Sequence, residues 1–200
     1  MQDYLKEHPA SAVVNLGCGL DPITKYLDNG TCRLYNIDFP DVIEPRNEIF
    51  PAGDREENIA ADINDTSWFY KIDADGGAEF FACGLFYYFK TEQAKTLFLA
   101  MKECFPGGCI IFDTAGKAAL KMMIKSVVEN SAGIEGVDAY FHAGNPEKDI
   151  FPWIGDAKVT YKGYMLGYSD LRMSGVSGMF RFLSKIGDGP MKMKIVKICF

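Results

Sequence analysis

The stretch VVNLGCGLD, residues 13–21, decides how this chain is read. With Ala12 before it, the apolar run Val13-Val14-Asn15-Leu16 has the length and β-branching of a buried strand. Two glycines, Gly17 and Gly19, then end it around a single cysteine, Cys18. Glycines at a strand end let the main chain bend sharply, approach a bound molecule closely and expose amide N–H groups. Residues 22–28 follow as a predicted short helix, and Asn29-Gly30 as a turn. Strand, glycine bend and helix in that order open a parallel α/β unit.

The same alternation continues outward. Further strands are predicted at about Arg33–Ile37, closing on Asp38; Asn58–Ala61, closing on Asp62; Ala78–Cys83; and Cys109–Asp113. Residues 41–50 read as a helix or irregular turn, stopped by Pro51 and Gly53. From Thr91, a helix carries Ala94, Leu97, Phe98 and Met101 at helical spacing and ends at Phe105-Pro106-Gly107-Gly108. Lys117–Glu129 is a second amphipathic helix, Lys158–Tyr164 a strand, and Val176–Lys185 a helix. Met193–Phe200 alternates apolar residues with Lys, as an antiparallel or edge strand does. Five near-continuous apolar strands require cover on both faces. The expected fold is therefore α/β: a doubly wound, mostly parallel, Rossmann-like sheet with an antiparallel C-terminal strand, in a single domain spanning residues 1–200.

Composition narrows the function classes. The chain has 200 residues, a formal charge of −6 and no dense Lys/Arg run, so neither nucleic acid nor a membrane is an expected partner. No apolar run approaches the roughly 20 residues of a spanning helix, and the N-terminus lacks a basic-then-apolar leader, so a cytoplasmic location is expected. Oligomeric state is not legible. Six cysteines without a CxxC pair read as reduced, mostly buried thiols, and their scatter argues against a metal site.

In open parallel sheets ligands bind at the carboxyl ends of the strands. There this sequence sets Gly17 and Gly19 after strand one, Asp38 after strand two, Asp62 after strand three and Cys83-Gly84 after strand four. Asp38, 19 residues beyond Gly19, suits two ribose hydroxyls. Asp62 suits an exocyclic adenine amine, with the Ile63 N–H reaching a ring nitrogen. Each feature alone has a plainer reading, a tight turn or a helix cap; their order points to an adenosine-type ligand. A dinucleotide fingerprint wants a third glycine where this chain has Pro22, which favours a ligand without phosphates, S-adenosylmethionine. A nicotinamide oxidoreductase is the poorer reading.

VVNLGCGLD, YNIDFPDVIEPRNEIFP, IAADINDTSWF and FFACGLFYYF, in that order and spacing, resemble the leucine carboxyl methyltransferase family, with its bacterial polyketide-type O-methyltransferases. The resemblance implies a class I methyltransferase fold and S-adenosylmethionine held by Asn15, Gly17, Cys18, Gly19, Asp38, Phe39, Asp62, Ile63, Cys83 and Gly84. It further implies methyl transfer to a carboxylate or hydroxyl oxygen of a small molecule or peptide. The sulfonium methyl is itself electrophilic, so in-line positioning suffices and no catalytic acid, base or nucleophile is assigned.

Tyr87, Tyr88 and His142 are the acceptor-side candidates, and Phe151-Pro152-Trp153 lies in the same class. Phe86 and Phe89 read as core, Trp68 as helix-to-sheet packing or an adenine cover, and Asp113 as a helix cap. Three departures stand out. Pro22-Ile23 replaces the family's Thr-Arg, and Cys83 replaces the Glu before the fourth-strand glycine. The chain also starts about a dozen residues before strand one, where members carry a helical segment. These departures keep open an alternative, a non-catalytic protein that retains the fold and the cofactor.

Overall fold

A computed structural model of the protein describes residues 1–125, 141–168 and 175–200. Its strands are β1 (Ala12–Leu16), β2 (Arg33–Asp38), β3 (Glu56–Ala60), β4 (Ala78–Ala82), β5 (Cys109–Thr114), β6 (Lys158–Gly163) and β7 (Lys194–Cys199). They form one sheet in the order β3-β2-β1-β4-β5-β7-β6. β1 pairs in parallel with β2 and β4, and β2 with β3. At the far end of the chain, the Phe200 N–H donates to Gly108 O at 2.9 Å and the Gly107 N–H to Phe200 O at 3.2 Å. The last residue therefore lies beside the start of β5, so β7 runs antiparallel. The expected doubly wound sheet is the observed one.

The described residues fall into two compact units. The first comprises Met1–Leu85, Thr96–Ile111 and Cys199–Phe200. Every residue of β1 and β4 is buried, as strands covered on both faces must be. Trp68, Phe69, Phe80 and Phe105 form a chain of tilted and edge-on rings with centroids 4.5–6.2 Å apart. The Trp68 indole is buried and donates to Ile63 O at 3.2 Å, which makes it packing rather than an adenine cover.

Helix α1 (Gln2–Glu7) precedes β1, and residues 23–26 make a 3₁₀ turn where a short helix was predicted. The ambiguous segment 41–50 is helix α2 (Pro40–Ile49), started by Pro40, whose fixed φ and missing N–H suit a first helical position. α2 tolerates Pro45 in its interior and buries Ile43 and Arg46. α3 (Thr91–Cys104) sends Ala94, Leu97, Phe98 and Met101 inward, as their spacing requires.

The cysteine expectation needs correction: Cys109 and Cys199 form a disulfide, while Cys18, Cys32, Cys83 and Cys104 are not disulfide-bonded, the last two being exposed. Antiparallel pairing of β5 and β7 brings two positions 90 residues apart into bonding distance, which no local spacing reveals.

The second unit comprises Phe86–Lys95 and Phe112–Ile198. Its core gathers Phe86, Phe112, Phe141 and Trp153 in ring contacts, beside a cluster of Tyr87, Ala115, Ala119, Leu120 and Ile124. Phe86 and Phe89 are buried, as the sequence implied. Among the described residues its helices are α4 (Lys117–Met123), the short α5 (Pro146–Asp149) and α6 (Phe151–Ile154), and α7 (Gly178–Asp188). The predicted extension of α4 through Val127 and Val128 lies outside the described residues. α7 starts later than its periodicity suggested because Ser177 caps it, its Oγ accepting the Phe180 N–H at 3.2 Å. No helix among the described residues is long and apolar enough to cross a membrane.

Candidate cofactor-binding site

Strand register brings the predicted cluster together. Leu16 is paired with Ile37 on one side and Ala82 on the other, and Asp38 with Ala60. Gly17, Asp38 and Cys83 therefore leave the sheet side by side, and Asp62 follows two residues after Ala60. The strand order reverses between β1 and β4, the point at which doubly wound sheets open a crevice.

The bend is held by its own main chain. The N–H groups of Gly17 and Cys18 both donate to Ile37 O, at 2.9 and 3.1 Å, and the Asp21 N–H donates to Cys18 O at 3.1 Å. Gly17 has φ +66°, and a Cβ there would stand 2.8 Å from Leu85 Cδ1. At Gly19, with φ +50°, a Cβ would meet nothing within 4 Å, so that glycine faces open space. Cys18, by contrast, is buried, and loss of hydration pushes its thiol up to about 12, against an opposing pull from Arg46. It is a neutral packing group with a main chain that shapes the bend.

Asp38 closes the bend from the next strand. Its Oδ2 accepts the Gly19 N–H at 2.8 Å and its Oδ1 the Phe39 N–H at 2.8 Å. Each carboxylate oxygen retains lone-pair capacity for a ligand hydroxyl. Asn15 is buried within β1 and Phe39 is half exposed at the start of α2. Asp62 is exposed and ties down Asn64, its Oδ1 accepting the Asn64 main-chain N–H at 2.9 Å and the Asn64 Nδ2 at 3.0 Å. The Ile63 side chain is buried, and its main-chain N–H has no hydrogen-bond partner among the described residues. Cys83 is exposed, and Gly84 at φ +70° has open space where a side chain would stand. An unclaimed amide, open space over two glycines and two carboxylates at or just beyond neighbouring strand ends fit the donors, acceptors and bulk of an adenosyl group.

The acceptor-side candidates belong to the second unit. Tyr87 is buried and its hydroxyl donates to Asp113 Oδ2 at 2.8 Å. Burial first, and the Asp113 charge second, hold that phenol far above its ordinary range, so it is a permanent donor. Asp113 therefore does not cap α4, whose cap position is Gly116 without a side-chain bond. Tyr88 is half exposed and His142 partly buried.

Sequence reasoning passed over Arg46. It is fully buried, and its Nη1 donates to Gly19 O at 2.8 Å and to Asp21 O at 3.0 Å. Its only signal was an Arg three residues after an apolar helix position, Ile43, which solvated helix faces show as often.

Residues 2–102, half of the chain, match the leucine carboxyl methyltransferase family. The chain belongs to that family. Its curated relative, the tetracenomycin polyketide synthesis O-methyltransferase TcmP of Streptomyces glaucescens, is 29% identical over 111 residues, 55% of this chain and 41% of that protein. The chain thus spans well under half the length of TcmP. Among solved structures, the plantazolicin methyltransferase BamL in complex with a desmethyl-plantazolicin analogue and S-adenosylhomocysteine aligns with a TM-score of 0.65 at 12% identity. That alignment covers 99% of this chain and 82% of BamL. Human N-acetylserotonin methyltransferase with S-adenosylmethionine aligns at 0.58 and 11% identity, covering 94% of this chain and 47% of that one. At these identities the structures establish the fold, in agreement with the family.

Proposed function

We propose that the chain binds S-adenosylmethionine and transfers its methyl group to an oxygen, carboxylate or hydroxyl, of a small molecule or peptide. The observation that carries this reading is the Asp38 carboxylate, locked onto the Gly19 amide at 2.8 Å and paired in register with Ala60, two residues before Asp62. In the proposed assignment Asp38 receives the ribose hydroxyls, Asp62 and the Ile63 N–H the adenine edge, Gly19 and Gly84 leave room for the ligand, and Gly17 lets the bend pass close against Leu85. Asn15, Cys18, Phe39 and Cys83 complete the wall. The bound cofactor supplies an activated methyl group, so the residues of this chain need only bind, orient and exclude water, which can contribute about 7–11 kcal/mol.

Tyr87, Tyr88 and His142 are proposed to serve the acceptor, with the Tyr87 hydroxyl fixed in place by its bond to Asp113. Residues 1–200 are proposed to work as one domain. The chemistry of TcmP and BamL, as their names state it, supports a small-molecule or peptide acceptor.

Labelled methyl donor offered with a panel of carboxylic acids and phenols tests the reading. Label should appear in an acceptor, and mild alkali should release it from an ester but not from an ether. Absence of transfer with every acceptor, alongside measurable S-adenosylhomocysteine binding, would favour the non-catalytic reading. That reading draws on exposed Cys83 at the position where the family carries Glu.

A further inference from the structure

Five main-chain N–H groups line the bend from Gly17 to Asp21, and four are already spent. Gly17 and Cys18 donate to Ile37 O, Gly19 to Asp38 and Asp21 to Cys18 O. Only the Leu20 N–H has no partner among the described residues. Leu20 shares its peptide plane with the Gly19 carbonyl, and that carbonyl is the one Arg46 holds at 2.8 Å. No peptide bond among the described residues is cis. In a planar trans peptide the C=O and N–H point opposite ways, so a carbonyl turned in toward Arg46 turns the Leu20 N–H out. The second carbonyl on Arg46, that of Asp21, precedes Pro22, whose nitrogen carries no hydrogen. The clasp therefore aims one donor only.

Arg46 is a costly way to tie down a turn. It is fully buried, and among the described residues no carboxylate lies within ion-pair distance of it and its Nη2 has no hydrogen-bond partner. Burying an unpaired charge is strongly unfavourable, and two neutral carbonyls offset it only in part. A buried polar lattice fixes the side chain. Arg46 Nε donates to Asn58 Oδ1 at 3.2 Å, and that oxygen also accepts Asn36 Nδ2 at 2.9 Å. Asn36 Nδ2 donates to Glu56 Oε1 at 2.8 Å, Thr24 Oγ1 donates to Asn36 Oδ1 at 3.0 Å, and the Phe50 ring lies 5.9 Å from the guanidinium carbon. A guanidinium held this rigidly can keep two carbonyls in one orientation where a flexible or neutral side chain would not.

We propose that Arg46 is a positioning residue that sets the Gly19–Leu20 peptide so that the Leu20 N–H donates to an acceptor oxygen of the bound ligand. The inference rests on the adenosyl reading of the site and adds Leu20 and Arg46 to it. Neither touches the reacting atoms.

The test is nuclear magnetic resonance of ¹⁵N-labelled wild type, Arg46→Lys and Arg46→Gln, without ligand and titrated with S-adenosylhomocysteine. Ile110→Val, a core change on β5, serves as a control for general destabilisation. In the wild type the Leu20 amide should move downfield on ligand addition. In the Arg46 variants that shift should be lost and affinity should fall about tenfold or more, as loss of one oriented hydrogen bond requires, while the Ile63 amide still responds. Ile110→Val should keep both the shift and the affinity. Wild-type affinity with an intact Leu20 shift in either folded Arg46 variant overturns the proposal. Should the wild type bind no S-adenosylhomocysteine, the adenosyl reading falls and the ligand-free spectra decide the clasp. Gly19 and Leu20 amides displaced in the Arg46 variants beyond their change in Ile110→Val uphold it, and unmoved amides overturn it.

Discussion

Two carboxylates at strand ends, Asp38 on β2 and Asp113 on β5, are engaged in different ways. Asp38 is bound to main chain, to the amides of Gly19 and Phe39. Asp113 accepts a side-chain hydroxyl, that of Tyr87, from a residue 26 positions earlier. The first arrangement follows from where strands end and which residues lack a side chain. The second depends on how two separate elements pack. A main-chain site is thus written into local sequence, whereas a side-chain pair is a consequence of tertiary structure.

The sharpest way to break the comparison is to remove each anchor in turn. Asp38→Ala deletes two charge-assisted bonds to the bend as well as the proposed ribose acceptor. S-adenosylhomocysteine affinity, measured calorimetrically, should fall about 100-fold, since a ligand hydroxyl's bond to a charged carboxylate contributes about 1.5–3 kcal/mol. Tyr87→Phe should leave that affinity within about twofold while lowering turnover about tenfold, the loss of one hydrogen-bonded hydroxyl, that held by Asp113, on the acceptor side. Equal losses of cofactor affinity in the two variants would erase the distinction between the regions.

Gly17→Ala sharpens the main-chain half. A left-handed φ costs a side-chain-bearing residue about 1–2 kcal/mol, and the new Cβ also presses on Leu85. The melting temperature should drop by several degrees, about 2–4 °C per kcal/mol for a domain of this size. Gly19→Ala, with a similar φ but open space, should be milder.

A smaller effect probes the interior of the bend. Burial raises the Cys18 thiol from 9.0 to about 12, so the folded state favours the protonated form. Its contribution to stability is complete below about pH 9 and disappears as pH rises toward 12. Cys18→Ala should flatten that part of the stability profile. At pH 8 a thiol-alkylating reagent should label exposed Cys83 and Cys104 and spare Cys18. Without reductant, denatured protein should titrate four thiols, and after reduction six, because Cys109 and Cys199 are joined.

These contrasts explain how far the sequence could be read. The parallel strands were legible because β1 and β4 are mostly apolar and buried throughout, and the bend was legible because two glycines follow β1 directly. Asp38 and Asp62 were placed correctly because a strand end is a local feature. Arg46 was not, since its value comes from the Gly19 and Asp21 carbonyls more than 20 residues away. Asp113, the partner of Tyr87, was read as a helix cap for the same reason, and Cys109 and Cys199 were read as reduced thiols because their bond needs β7 laid antiparallel to β5.

The central claim is that the carboxyl ends of β1, β2 and β3 hold an adenosyl ligand. Chemical-shift mapping with S-adenosylhomocysteine, and separately with NAD, tests it most directly. Saturable shifts centred on Gly17, Gly19, Asp38 and Ile63 with S-adenosylhomocysteine, and none with NAD, are the expected result. An unchanged spectrum with S-adenosylhomocysteine, or shifts that leave those four amides in place, would contradict it.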